Sequence, residues 1–204
     1  MLKIFNSLSK EIEEFKPIKA PAVTMYTCGP TVYQFAHIGH FRSFLTADLL
    51  VRVLRRDKYD VNFVMNITDV GHLTNDDIGG GDTGEDKIEK TAAKEGKTAR
   101  EVADFYTEAF LKDYASINLT MPDTLSKATD HIKEQISLIE RLEFKGLTYR
   151  ISDGIYFDTA RFPDYGQLSS LDAKNERGRV EENPEKTGKE SGYAQDQSLQ
   201  AFPV

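Results

Sequence analysis

The chain has 204 residues, 39% of them hydrophobic and 29% charged, with a formal net charge of -7. That length supports one sizeable core, or one core plus a small appended unit, and no run approaches the roughly 18 apolar residues of a membrane span. The acidic balance excludes a global attraction to nucleic acid but leaves room for a local basic face.

Met1-Leu2-Lys3-Ile4-Phe5-Asn6 is not followed by a long apolar region with a small-residue cleavage site, so no signal peptide is read. The single Cys28 cannot form an internal disulfide, and a reducing, cytoplasmic setting is expected. Val23 to Cys28 is β-branched and aromatic and ends at Gly29-Pro30; it reads as a buried strand followed by a turn. From about Phe41 to Arg56, Phe44, Leu45, Leu49, Val53 and Leu54 recur near helical spacing. Arg52, Arg55, Arg56 and Lys58 suit the C-terminal end of that helix. Val61 to Met65 is a second strand, and strand, helix, strand predicts a parallel sheet.

Asn75 to Asp86 carries Gly79-Gly80-Gly81 and the acids Asp76, Asp77, Asp82, Glu85 and Asp86, the composition of a mobile surface loop. A helix should restart at Thr98, where Thr98-Ala99-Arg100-Glu101 has capping-box form. Its apolar face is Val102, Phe105, Tyr106, Ala109, Phe110 and Tyr114. A further helix is expected from about Thr129 to Lys145, carrying Ile132, Ile136, Ile139 and Leu142, with Gly146 as its stop. Leu147 to Thr159 reads as a hairpin around Asp153-Gly154. From Lys186 to Val204 neither period is present, so this tail is expected to be disordered.

The sharpest chemical signal is Cys28-Gly29-Pro30-Thr31-Val32-Tyr33 followed by His37-Ile38-Gly39-His40, between a predicted strand and a predicted helix. Ligands of open parallel sheets bind at the C-terminal ends of strands, and the first turn of the next helix offers N–H groups suited to phosphate. Gly39 permits close approach of a flat base. His37 and His40 are spaced to face one side if the turn is helical, where two imidazoles can hydrogen-bond phosphate oxygens as charge develops. Histidines at a helix start can equally be caps, and an isolated cysteine is more often a core residue than a ligand. Gly79 to Gly84 matches G-x-G-x-x-G, but it is ringed by carboxylates and has no strand directly before it. Gly96-Lys97-Thr98 ends like a P-loop, but position 91 is threonine. His72 and His131 read as loop and helix-start residues, and Cys28, His37 and His40 lack an evident fourth ligand for a zinc site of their own.

Several blocks together resemble the cysteinyl-tRNA synthetases, class I aminoacyl-tRNA synthetases. They begin with Met1 to Leu8 and Glu13-Glu14-Phe15-Lys16-Pro17-Ile18, continue with Cys28 to Tyr33, the HIGH signature at His37 to His40, and Asn66-Ile67-Thr68-Asp69-Val70. Lys127 to Ile132, Ile155 to Asp158, Phe162 to Ser169 and Arg179-Val180-Glu181 follow in the family's order. The likeness covers about residues 1–186 and departs at the acidic insertion between Asp69 and Lys87. It implies an α/β fold, the first half of a HIGH-type Rossmann catalytic domain with a parallel sheet, plus a small α+β insertion. It places the first half of the catalytic domain in residues 1–125, the start of the insertion in 126–185, and a disordered or non-native tail in 186–204.

The implied chemistry is ATP-dependent, with Mg2+. The cysteine carboxylate attacks the α-phosphate of ATP, pyrophosphate leaves, and the acyl group passes to the 3′-terminal ribose of tRNA(Cys). The resemblance makes His37 and His40 catalytic and puts His37, Gly39 and His40 at ATP. It puts Gly29, Thr31 and Thr68 at the amino acid, and makes Cys28 one of four Zn2+ ligands, with the metal selecting thiolate over hydroxyl. The other three zinc ligands and the lysine loop that grips pyrophosphate are expected beyond Val204, so a truncated gene product with little aminoacylation by itself is the expectation. Two alternatives are a non-catalytic remnant or interaction module, associating through an exposed sheet edge, and an ATP-dependent cysteine ligase with a non-tRNA acceptor.

Overall fold

The computed structural model describes residues 2–71, 86–151, 154–162, 164 and 168. The loop 75–86 up to Glu85, the turn at Asp153, His72, the glycine run 79–84, Arg179-Val180-Glu181 and the tail from Lys186 lie outside the described residues. The chain divides into two compact units, one of Lys16–His131 and one of the first fifteen residues with those from Ile132 onward.

In the second of these, strands β1 (Lys3–Asn6) and β2 (Glu11–Glu14) pair antiparallel, Lys3 opposite Glu14 and Asn6 opposite Glu11. Lys10, at φ 61, turns the chain between them, and this hairpin has no counterpart in the periodicity reading.

The unit Lys16–His131 is built on three parallel strands in the order β3 (Ala22–Thr27), β4 (Asp60–Ile67) and β5 (Thr124–Lys127). Helix α1 (Ile38–Arg56) crosses from β3 to β4 and lies against both. Helices α2 (Lys87–Glu95) and α3 (Ala99–Ser116) come between β4 and β5. The parallel sheet expected from the strand–helix–strand reading is therefore present, with a third strand that the sequence did not announce. Strand β4 alternates strictly: Val61, Phe63, Met65 and Ile67 are buried, while Asn62, Val64 and Asn66 turn to the other face. Expected as a buried strand, β3 is instead half exposed, and among the described residues it lies at the edge of the sheet, beside β4.

The helices correct the expected faces. Leu45 and Leu49 are 47% and 55% exposed, and the inward stripe of α1 is Phe44, Ala47, Asp48, Val51 and Leu54. Asp48 takes the Thr120 N–H at 2.8 Å and Arg52 Nε at 2.7 Å. Burial would push its carboxyl up, but these hydrogen bonds outweigh burial and hold it below the usual range. The basic residues at the end of α1 act as anchors. Arg52 donates to the Asn118 carbonyl at 2.6 Å, and Arg55 reaches Asp123 at 2.7 Å. Asp123 also accepts the Phe63 N–H, tying the start of β5 to β4.

Helix α3 begins as expected. Thr98 accepts the Glu101 N–H while Glu101 accepts the Thr98 N–H, the reciprocal capping box. Its buried stripe is Val102, Ala103, Tyr106, Thr107, Phe110 and Tyr114, with Phe105 47% exposed rather than inward. Phe44 and Phe41 of α1 meet Phe110 of α3, and Phe44 also meets Tyr114, so an aromatic seam joins the two helices. The chain turns between α2 and α3 at Gly96, φ 65, followed by the cap Thr98. The P-loop-like tripeptide Gly96-Lys97-Thr98 is thus a helix stop and start.

A 3₁₀ turn, Ala128–His131, ends the unit, and helix α4 (Ile132–Phe144) belongs to the other one. Of the four apolar residues that the sequence reading placed on α4, Ile139 is the buried one. Gly146 stops the helix at φ 69, as its position suggested. Strands β6 (Thr148–Ile151) and β7 (Gly154–Phe157) then form the expected antiparallel hairpin.

Candidate functional site

Parallel strands bring their C-terminal ends to one edge of the sheet, and the residues singled out in the sequence cluster there. Cys28 and Gly29 directly follow β3, Thr68 and Asp69 follow β4, and Thr129 follows β5. Beyond Gly29, Thr31 pairs with Thr68 in a parallel bridge; Val32 N–H donates to the Thr68 carbonyl at 3.1 Å, and Thr68 N–H to the Pro30 carbonyl at 3.0 Å. The seam between β3 and β4 thus continues past the regular strands. Val32 is buried, and Phe35 meets Phe105 and Tyr106 edge-on. These two anchors fix the loop that delivers the chain to α1.

His37 is the N-cap of α1 and His40 its third residue. Nδ1 of His37 accepts the Gly39 N–H at 3.0 Å, and Nδ1 of His40 accepts the His37 N–H at 3.1 Å. The result is a capping box made of two imidazoles rather than Thr and Glu. Their rings stack at 3.8 Å, so the expected common facing of the pair is present. Each Nδ1 accepts a backbone N–H, so each neutral ring carries its proton on Nε2. Capping and ligand binding, posed as alternatives from sequence, are therefore compatible: one nitrogen holds the helix and the other is a donor. A Cβ at Gly39 would lie 2.8 Å from Cε1 of His37. The glycine is needed by the cap itself, a reason beyond room for a flat base.

Cys28 is exposed and is not the core cysteine of the ordinary case. Tyr26, two residues before Cys28 near the end of β3, has a phenol pushed up by partial desolvation and further by the neighbouring Cys28. Among the described residues no group of three or more His, Cys, Asp or Glu side chains is placed to hold a metal ion. Cys28, His37 and His40 therefore do not converge as a metal cluster, and Cys28 alone cannot supply tetrahedral zinc coordination.

Asn66 and Asp69 carry roles that sequence reasoning missed. Oδ1 of Asn66 accepts from Tyr26 Oη at 2.9 Å and from Gly29 N–H at 2.8 Å, and its Nδ2 donates to Thr68 Oγ1 at 3.1 Å. A Cβ on Gly29 would fall on the Asn66 carbonyl, so only glycine fits there. Asp69 accepts both the N–H and the hydroxyl of Thr129, at 3.0 and 2.6 Å, and so joins two sequence blocks 60 residues apart. A polar residue ending an alternating strand was the available signal for Asn66, but its partners lie on another strand and no local pattern identifies them.

Among the described residues no helix is long and apolar enough to cross a membrane. Residues 14–196 match the family of tRNA synthetases class I (C) catalytic domain. The chain is 50% identical over 171 residues to cysteine–tRNA ligase 1 of Burkholderia lata, covering 84% of this chain and 36% of that protein. It is 47% identical over 174 residues to the cysteine–tRNA ligase of Treponema denticola, covering 85% and 35%. With that of Zymomonas mobilis it shares 49% over 177 residues, covering 87% and 34%. The chain spans about a third of the length of these curated relatives. With its HIGH signature at a helix start beside a parallel sheet, and a family match across most of its length, the chain belongs to the cysteinyl-tRNA synthetases of class I.

Proposed function

We propose that this chain forms the ATP- and cysteine-facing part of a cysteine–tRNA ligase, which activates cysteine with ATP and transfers it to tRNA(Cys). The observation that carries the reading is the reciprocal cap of His37 and His40 at the mouth of the parallel sheet. It stacks the two imidazoles at a helix N-terminus whose first turn contains no acidic residue. Such an arrangement suits the phosphates of Mg2+-bound ATP, where preformed donors stabilise charge as pyrophosphate departs. His37 and His40 are the catalytic pair, and Gly39 keeps the turn open to the nucleotide. Gly29, Thr31 and Thr68, on the continued β3–β4 seam, hold the amino acid. Cys28 is one Zn2+ ligand; the other donors must come from outside the described residues, and zinc, when bound, would select the substrate thiolate by its softness.

ATP titration into the purified 204-residue chain by calorimetry tests this. His40→Ala and His37→Ala should each weaken ATP binding by about tenfold or more, the equivalent of one charge-assisted hydrogen bond to phosphate. Nucleotide affinity equal to wild type in both folded variants would remove the pair from the ATP site.

A further inference from the structure

We propose that Asn66 is the positioning residue of the amino-acid subsite, acting through Thr68 and Gly29 rather than by touching the ligand. The inference rests on the assignment of Gly29, Thr31 and Thr68 to that subsite above. Gly29 N–H can only donate, so the Asn66 atom it meets at 2.8 Å must be the carboxamide oxygen, and the same oxygen takes the Tyr26 hydroxyl at 2.9 Å. The flip of the amide is therefore fixed, and the NH2 group must face Thr68, whose Oγ1 lies 3.1 Å from it.

This orientation has a chemical consequence. An NH2 group has no lone pair to offer, so the Thr68 hydroxyl accepts from Asn66 and keeps its own proton for another acceptor. Thr68 is thereby set as a donor, suited to a carboxylate or acyl oxygen of the amino acid. The same side chain fixes the Gly29 peptide, where no Cβ would fit against the Asn66 backbone carbonyl. One carboxamide thus sets the peptide after Cys28, the proton direction of Thr68 and, through the Thr31–Thr68 bridge, the seam between them.

Asn66→Asp separates these roles. A carboxylate still accepts from Tyr26 and Gly29, but its second oxygen draws the Thr68 proton inward and abolishes the outward donor. The test is calorimetric titration of the full chain with ATP and with a non-hydrolysable cysteinyl-sulfamoyl adenosine, for wild type, N66D, T68V and the double variant, with melting curves for each. The expected result is an N66D melting point close to wild type, ATP affinity unchanged, and analogue affinity reduced about tenfold, the loss of one hydrogen bond to the ligand. The double variant should bind the analogue no more weakly than T68V, since Asn66 works through that hydroxyl.

Unchanged analogue affinity in N66D, an equal loss of ATP affinity, or additive losses in the double variant overturn the inference. Wild type that fails to bind the analogue rejects the amino-acid-subsite assignment on which the inference rests, and overturns it together with that assignment. If N66D does not fold, Tyr26→Phe takes its place: loss of one donor to the Asn66 oxygen should weaken the analogue and spare ATP, and equal analogue binding overturns the inference.

Discussion

At the residue scale, Gly29 and Asp48 show how little freedom the sheet edge leaves. Gly29→Ala drives a methyl into the Asn66 carbonyl; a stability loss of about 2 kcal/mol or more is expected from such overpacking, read from the urea midpoint. Asp48 is buried with three roles: partner of Arg52, acceptor for Thr120 and member of the inward stripe of α1. Asp48→Ala leaves the Thr120 N–H unsatisfied and should cost about 2 kcal/mol. Because its folded pKa is depressed, the stability it contributes is present above the unfolded value of 3.8 and is lost as pH falls through the lower folded value. Wild type should therefore lose more stability than Asp48→Ala across acidification below about pH 4.

Tyr114 titrates in the opposite range. Burial raises its phenol to about 12, and the Asp48 carboxylate adds to the shift. Above an unfolded value near 10 the unfolded chain loses this proton while the folded one keeps it. Stability is therefore whole below that pH and falls as pH rises toward 12. Tyr114→Phe should flatten that alkaline decline and cost about 1 kcal/mol at neutral pH, through loss of the hydrogen bond to the Thr120 carbonyl.

At the scale of elements, caps were the most legible feature. Thr98 and Glu101 identify the start of α3 because a capping box needs only residues three apart. Thr98→Ala should lower stability by about 1 kcal/mol, and a denaturation midpoint equal to wild type would contradict the role. Helix α2 escaped notice for a physical reason. Its nine residues bury only Ile88 and Ala92, too few repeats to show a period, and its cap Asp86 stands among acids that read as a loop. In the structure Asp86 takes the Ile88 and Glu89 N–H groups and that of Gly71. The face of α1 was misjudged because hydrophobicity ranks Leu45 and Leu49 above Asp48, whereas burial follows which side meets the sheet. A carboxylate with hydrogen-bond partners goes inside where an apolar residue on the wrong side does not.

For the whole molecule, the unit Lys16–His131 depends on the centre of its sheet. Phe63 is fully buried on β4, between β3 and β5, and its backbone holds Asp123 in both directions. Phe63→Ala should cost about 3–5 kcal/mol, enough to lower the melting transition markedly; a minor shift would mean that the aromatic seam between α1 and α3 carries the core instead. The site depends on the same sheet, since three strand ends bring together residues from three separate sequence blocks.

The sequence by itself determined the order of β3, α1 and β4, the caps at Thr98 and Gly146, the hairpin at the end and the family signature. These features depend on neighbours a few residues apart, or on whole motifs read as words. Only the tertiary structure decided which side of α1 is inward, that β5 joins the sheet, and that Asn66 bridges Tyr26, Gly29 and Thr68. It alone showed that the two HIGH histidines cap their helix through Nδ1. These outcomes rest on contacts across strands and on hydrogen-bond direction, which linear spacing does not encode.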